Sequence, residues 1–214
     1  MLPQMQLALP GFRKVPGLSF YKLMGSGGEN GFSIRPNWGV YALLCVWDAE
    51  AYADQFFQHG SHFRKFRKHA TNIWTVFMHN QVAHGLWSGK NPFRDFQAPE
   101  TGPVAVITRA TIKPRFLAAF WKYVPPVSKQ IEDHPGKIFS IGIGEYPLFM
   151  QATFSIWQDR ESMIQYAYKS PMHRDVIKKT RELGWYQEEL FANFIPYRTE
   201  GSWQGVGPLT LKPA

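Results

Sequence analysis

The sequence predicts an α+β fold: two ferredoxin-like repeats that pack as a dimeric-type α+β barrel within one chain, the first repeat lacking its opening strand. Three observations predict it. From Val104 onward, apolar runs of strand type and segments of helical period follow one another in the order β-α-β-β-α-β. The two halves also match each other. Pro16-Gly-Leu-Ser-Phe resembles Pro135-Gly-Lys-Ile-Phe, Val46-Trp47-Asp48 resembles Ile156-Trp157-Gln158-Asp159, and Phe57 to Trp74 aligns with Tyr168 to Trp185 without a gap. Finally, only about fifteen residues precede the first Pro-Gly turn, too few for the strand and helix that precede the second. Two such units set sheet against sheet bury both inner faces. The boundaries are 1–103 for the first repeat with its Gly/Pro-rich loop, 104–200 for the second, and 201–214 for a tail, all within one structural domain.

Each element has a local reason. After the Pro16-Gly17 turn comes a strand, then a Gly-rich loop to about Gly31. Val40 to Trp47 is continuously apolar, which predicts a strand buried on both faces. Asp48 is the expected cap of a helix carrying Tyr52, Phe56 and Phe57. A second short helix holds Arg64, Lys65, Arg67 and Lys68, a strand spans Ile73 to His79, and His84 to Pro103 reads as loop. The second repeat contributes a strand at Val104 to Ile112, a helix from Pro114 to Glu132, and a segment from Pro135 to Gly144. A strand at Phe149 to Trp157, a helix opened by Asp159 and a strand near Leu190 to Tyr197 complete it.

Between the last two lies a well-delimited helix. Ser170 suits the N-cap, Pro171 the first helical position and Gly184 the stop. His173, Val176, Ile177 and Thr180 share its inner face; Arg174, Asp175, Lys178, Lys179, Arg181 and Glu182 share the other. In the repeat alignment His62 lies opposite His173, and Trp74 opposite Trp185.

Composition narrows the function classes. With 214 residues, 44% of them hydrophobic, the chain is long enough to bury a core and too apolar for disorder. Cys45 is the single cysteine, which excludes an intrachain disulfide and any Cys-based zinc or iron–sulfur site, and fits a reducing compartment such as the cytoplasm. No signal peptide is visible, and no run approaches the ~20 apolar residues that span a bilayer. A net charge of +8 permits contact with an anionic surface.

The short motifs are weak. Gly25-Ser-Gly-Gly-Glu-Asn-Gly lacks the Gly-Lys-Ser/Thr ending of a phosphate loop. The Arg64 to Lys68 run reads as a solvated helix face, with no nucleic-acid module beside it, and at most helps the protein rest on an anionic membrane. No histidine pair has zinc-protease spacing. His84, beside Trp87, reads as a solvated loop residue, with a distal cofactor contact as the alternative. Trp47, Trp157, Tyr168 and Trp185 read as core first, and second as aromatic walls for a conjugated ligand.

Longer stretches are more specific. Lys22-Leu-Met-Gly-Ser-Gly, Gly31-Phe-Ser-Ile-Arg-Pro-Asn-Trp, Tyr41-Ala-Leu-Leu-Cys-Val-Trp-Asp and His84-Gly-Leu-Trp-Ser-Gly-Lys-Asn-Pro-Phe run through the first half. Pro103-Val-Ala-Val-Ile-Thr-Arg-Ala-Thr-Ile, Phe120-Trp-Lys-Tyr-Val-Pro-Pro-Val-Ser, Ile141-Gly-Ile-Gly-Glu, Gln151-Ala-Thr-Phe-Ser-Ile-Trp and His173 through Phe194 continue it. Together they resemble the spheroidene monooxygenase-like carotenoid oxygenases over nearly the whole chain.

That resemblance implies a haem-dependent monooxygenase converting an allylic methylene of an acyclic carotenoid to a ketone by successive hydroxylations. It also implies molecular oxygen and an external electron donor such as a ferredoxin. His173 is then the expected axial ligand to the haem iron, because the helix N-terminus disfavours the imidazolium and keeps the ring available to a metal. His62 is its pseudo-symmetric rival, and the bland alternative is a helix-end histidine bonded to a neighbouring carbonyl. Arg35 and Arg181 are the expected cationic partners of the propionates, against the plainer role of solvated surface charge. The protein is expected to be cytoplasmic and peripheral on the inner membrane, with homo-oligomerisation open. Two alternatives stand: a haem-handling or cofactor-free α+β-barrel monooxygenase acting on another apolar substrate, and a non-catalytic hydrophobic-ligand carrier.

Overall fold

The computed structural model describes residues 11–28, 31–96, 102–146, 148–169, 171–203 and 205–209, with the backbone alone for 169 and 171–173. Strands β1 (Leu18–Gly27) and β2 (Pro36–Trp47) form a hairpin, followed by helices α1 (Glu50–His59) and α2 (Ser61–His69) and strand β3 (Trp74–Gly85). The second repeat runs β4 (Val104–Ile112), α3 (Leu117–Glu132), β5 (Lys137–Tyr146), β6 (Met150–Trp157), α4 (Arg160–Ile164), a π-turn at Gln165–Lys169, α5 (Pro171–Leu183) and β7 (Tyr186–Gly201).

All seven strands join one antiparallel sheet in the order β2-β1-β5-β6-β4-β7-β3. Within the second repeat, β4 lies between β6 and β7, the ferredoxin-like arrangement. The two repeats meet along β1–β5 and along β3–β7. Among the described residues the first repeat has no counterpart of β4, whose place by pseudo-symmetry falls between β2 and β3, the two ends of the strand order. The sheet curls strongly enough that Trp74 of β3 reaches Phe139 of β5, their rings 4.9 Å apart although three strands separate them in the order.

The concave face holds the larger core. Phe20 and Met24 of β1, Ile107 of β4, Ile143 of β5, Ile156 of β6 and Leu190 of β7 meet there with Trp87, which is fully buried. Alternate residues of a strand share this face, and in β4 the intervening residues Val104 and Val106 are buried on the other. The convex face carries helices, and a second core forms beneath them from Val104, Val106, Ile131, Trp157, Met163 and Tyr166. No helix is long and apolar enough to cross a membrane among the described residues.

Several local expectations change. Asp159 caps α4 as expected, its carboxylate accepting the Ser162 N–H at 2.7 Å. Asp48 does not cap α1: Ala49 occupies the N-cap without a side-chain bond, while the Asp48 N–H donates to the Gly17 carbonyl. Gly25-Ser-Gly belongs to β1 and not to a loop, held by Ser26 Oγ donating to the Gly142 carbonyl at 2.9 Å. β3 extends past His79 to Gly85 because register shifts near Met78 and Val82 let pairing continue where the period-2 pattern breaks. On α5, Thr180 is buried and Arg174, Asp175, Lys178, Arg181 and Glu182 are exposed, as the helical spacing predicts. Lys179 is the exception, half-buried with its ammonium on the Tyr123 hydroxyl. The Ser170 cap lies outside the described residues.

Candidate functional site

Charged side chains interrupt the apolar concave face at one end. Lys22 alternates with Phe20 and Met24, Arg109 with Ile107, Glu145 with Ile143, and Glu188 with Leu190, so all four share the buried face. The Arg109 side chain is 2% exposed, bonds Glu188 and lies 3.7 Å from Glu145. Glu145 also accepts from Lys22 Nζ at 2.5 Å and from Trp87 Nε1 at 2.6 Å. Glu188 accepts the Ser88 and Gly89 N–H groups at 2.9 and 2.7 Å. Burial works to raise the Glu188 pKa, but those two N–H donors and the Arg109 guanidinium outweigh it and hold the carboxyl below its ordinary range. Two cations thus balance two carboxylates, and the β3–β4 loop is tied to the barrel end through Trp87, Ser88 and Gly89. Among the described residues Arg109 Nε has no hydrogen-bond partner.

A cleft of about 240 Å³ opens between the loop after β1 and helix α3, lined by Phe32, Ser33, Ile34, Arg35, Trp121 and Pro125. Gly31 sets the loop in place. Its φ of +92° is a left-handed conformation, and a Cβ there would lie 1.9 Å from the Gly142 carbonyl oxygen. Trp121 crosses to the β5–β6 turn, its Nε1 donating to the Leu148 carbonyl at 3.3 Å. Inside α3, Pro125 and Pro126 stand three and four residues after Lys122 and carry no N–H, so the Lys122 carbonyl loses both usual helical donors. Ile34 and, just beyond the loop, Trp38 are 57% and 55% exposed. Lined by two aromatic rings, a guanidinium and little else that is polar, the cleft suits an apolar ligand with a small polar group.

Of the residues singled out from sequence, Arg35 lines this cleft. His173 occupies the first turn of α5, and its side chain lies outside what is described. Arg181 is exposed on the same helix, about 12 Å further along its axis at 1.5 Å per residue. No described contact brings Arg35 and Arg181 together. His62 packs: its ring centroid is 5.3 Å from that of Phe12, and a Cβ on Gly11 would fall 2.1 Å from its Cε1. His84 is exposed at the end of β3. Trp157 and Trp185 are core residues, whereas Tyr168 is 69% exposed and belongs to no core. Among the described residues, no three His, Cys, Asp or Glu side chains are grouped to hold a metal ion.

No motif singles out Lys22, Arg109, Glu145 and Glu188, although they lie within the stretches quoted above. The available signal was a single charge in line with the inward apolar positions of an alternating strand, as in Ala105-Val-Ile107-Thr-Arg109.

The comparisons bear on which chemistry these features serve. Spheroidene monooxygenase of Rhodobacter capsulatus is 40% identical over 215 residues, covering 99% of this chain and 89% of that protein. The chain belongs to the spheroidene monooxygenase family. Spheroidene monooxygenases of Cereibacter sphaeroides and Rubrivivax gelatinosus are 36% and 34% identical, over 100% and 89% of this chain and 68% and 73% of theirs. As a member of the spheroidene monooxygenase family the chain is an oxidoreductase that uses molecular oxygen. No protein-family model matches it. Solved structures of proposed monooxygenases from Fusobacterium nucleatum and Lactobacillus acidophilus each cover 99% of the chain. They cover 89% and 92% of their own chains, at 10% and 14% identity with TM-scores of 0.45 and 0.43.

Proposed function

We propose that the protein is a haem-dependent monooxygenase that oxidises an allylic methylene of an acyclic carotenoid to a ketone. The observation that carries this reading is the 40% identity to a spheroidene monooxygenase across 99% of the chain. Two hydroxylations of one carbon give a geminal diol, which loses water to the ketone; each consumes one O₂, two electrons and two protons and releases one water.

Haem asks for one axial ligand and for cations beside its propionates. His62 does not fit the first role, because its ring is packed on Gly11 and Phe12. His173 is the ligand assigned to the iron by its position in the first turn of α5, since a helix N-terminus disfavours a cationic imidazolium. Arg35 and Arg181 are the cations assigned to the propionates. Haem, when bound, supplies the activation of oxygen. The chain's own part is positioning: Phe32, Ile34 and Trp121 hold the polyene and exclude water. Exposed Trp38 and Ile34 are side chains suited to the bilayer interface, where such a substrate is dissolved, which supports a peripheral position on the cytoplasmic membrane face.

Reconstitution with haemin tests the cofactor assignment. A Soret band is expected for the wild type and for His62→Ala, and a lost or shifted band for His173→Ala; no band in any of them excludes haem. A ligand carrier would bind carotenoid and leave its mass unchanged under oxygen and reductant.

A further inference from the structure

Helix α2 carries charge that neither the fold nor its neighbours use. Arg64, Lys65, Arg67 and Lys68 are exposed, and Arg13 and Lys14 are exposed on the chain that packs beside the helix through Phe12, whose ring lies 6.1 Å from Phe66 and 5.3 Å from His62. The helix contains no acidic residue. Among the described residues, none of these six cations forms an ion pair or hydrogen bond with an acidic side chain.

The repeat supplies an internal control. In the gap-free alignment, α2 corresponds to α5, where Asp175 stands opposite Arg64 and where Lys178 reaches Glu182 at 3.8 Å. The same fold position therefore tolerates mixed, paired charge. Arg67 and Lys68 stand in the last turn, where the helix dipole favours cations, but Arg64 and Lys65 do not, and like charges three and four residues apart repel one another, so helix stability does not account for the whole cluster.

We propose that the α2 face, with Arg13 and Lys14, is the docking surface for an acidic electron-carrier protein. The proposal rests on the monooxygenase reading above, since each oxygen inserted requires two electrons from outside. With Cys45 as its single cysteine, the chain cannot hold a four-cysteine iron–sulfur cluster of its own. A positive surface raises the encounter rate with an acidic carrier and orients it. The face is also the wrong kind for a bilayer. Membrane-lying helices present aromatic or aliphatic residues beside their cations, whereas the aromatic side chains of α2, Phe63 and Phe66, pack toward Phe56, Phe57 and Phe12. The largely exposed apolar residues Ile34 and Trp38 lie elsewhere, near the cleft.

The test compares two variants of the full chain with equal total charge. One carries Arg64→Glu, Lys65→Glu, Arg67→Glu and Lys68→Glu; the other carries Arg115→Glu, Lys129→Glu, Arg174→Glu and Lys178→Glu on the second repeat. Circular dichroism confirms that both fold. Titration with a plant-type ferredoxin at low salt is expected to give a Kd raised about tenfold or more by the α2 reversals and little changed by the second-repeat set. Added salt should weaken wild-type binding and should not weaken that of the α2 variant, whose reversed face repels an acidic carrier until salt screens it. Equal losses in the two variants, or an α2 variant that binds like wild type, overturn the proposal. So does an α2 variant that keeps ferredoxin and loses phosphatidylglycerol vesicles, which would make the face a membrane contact. Dithionite-driven conversion of carotenoid by the haem-loaded protein separates the two readings. It should survive the α2 reversals, and its absence even in wild type would count against the functional reading while the titration still decides docking.

Discussion

Replacing Arg109 by alanine tests whether the barrel end is held by its buried charges. The side chain is 2% exposed and sits between Glu188 and Glu145, so truncation strands two partly buried carboxylates. Breaking a buried pair in this way costs ~3–5 kcal/mol. Here Glu145 keeps Lys22 and Trp87, and Glu188 keeps the Ser88 and Gly89 donors, which places the loss near the lower end, about 3 kcal/mol. For a chain of this size that corresponds to a Tm lowered by roughly 6–12 °C. Urea unfolding followed by tryptophan fluorescence measures it, with the double variant Arg109→Met, Glu188→Gln expected to recover part of the loss because it removes both charges at once. A loss below about 1 kcal/mol for Arg109→Ala would refute a structural role for the cluster. Its pH dependence has a fixed sign. The folded Glu188 pKa is depressed, so its contribution is present above the ordinary carboxylate range and disappears as pH falls through the folded value. Glu188→Gln should therefore be less stable than wild type at neutral pH, and the difference should shrink on acidification.

Gly31→Ala combines a positive φ with a clash against the Gly142 carbonyl and should cost at least ~1–3 kcal/mol while displacing the cleft loop; carotenoid binding and urea unfolding should change together. Burial pushes the Cys45 thiol up to about 12, so iodoacetamide at mildly alkaline pH should label the folded protein far more slowly than the unfolded one, as peptide mass spectrometry would show. His62→Ala should lower stability by removing the ring that packs on Phe12 and leave the haemin spectrum as it was.

Much of the fold was legible because it was written twice. The matched Pro-Gly turns, strand-to-helix junctions and the Phe57–Trp74 and Tyr168–Trp185 segments point to the repeat, but not to its joining: the two units share one continuous sheet through β1–β5 and β3–β7 in place of the expected sheet-against-sheet packing. Strand ends were less legible. β3 continues through two register shifts that no period-2 pattern can follow, and Gly25-Ser-Gly pairs as strand in spite of its turn composition. Asp48 has the right chemistry for a cap but lies one residue too early. The site was the least legible part. Arg109, Glu145, Glu188 and Lys22 come from four strands: pairing of β1 with β5 and of β4 with β7 sets Lys22 beside Glu145 and Arg109 beside Glu188, and Arg109 reaches Glu145 across β6. Arg35 was identified as a cation by type, yet its neighbours Trp121 and Pro125 are distant in sequence. His62 and His173 look equivalent in the alignment; His62 packs on Gly11 and Phe12, a contact that leaves no trace in local sequence.

The proposed reaction inserts oxygen from dioxygen into a carotenoid methylene. Its most direct test supplies the haemin-reconstituted protein with an acyclic carotenoid, reductant and heavy-isotope dioxygen, and follows the pigment by mass spectrometry. A product that has gained one oxygen and lost two hydrogens at the allylic position, with label from dioxygen in the hydroxylated intermediate, is the predicted result. Carotenoid that binds the folded, haem-loaded protein and is recovered unchanged would contradict it.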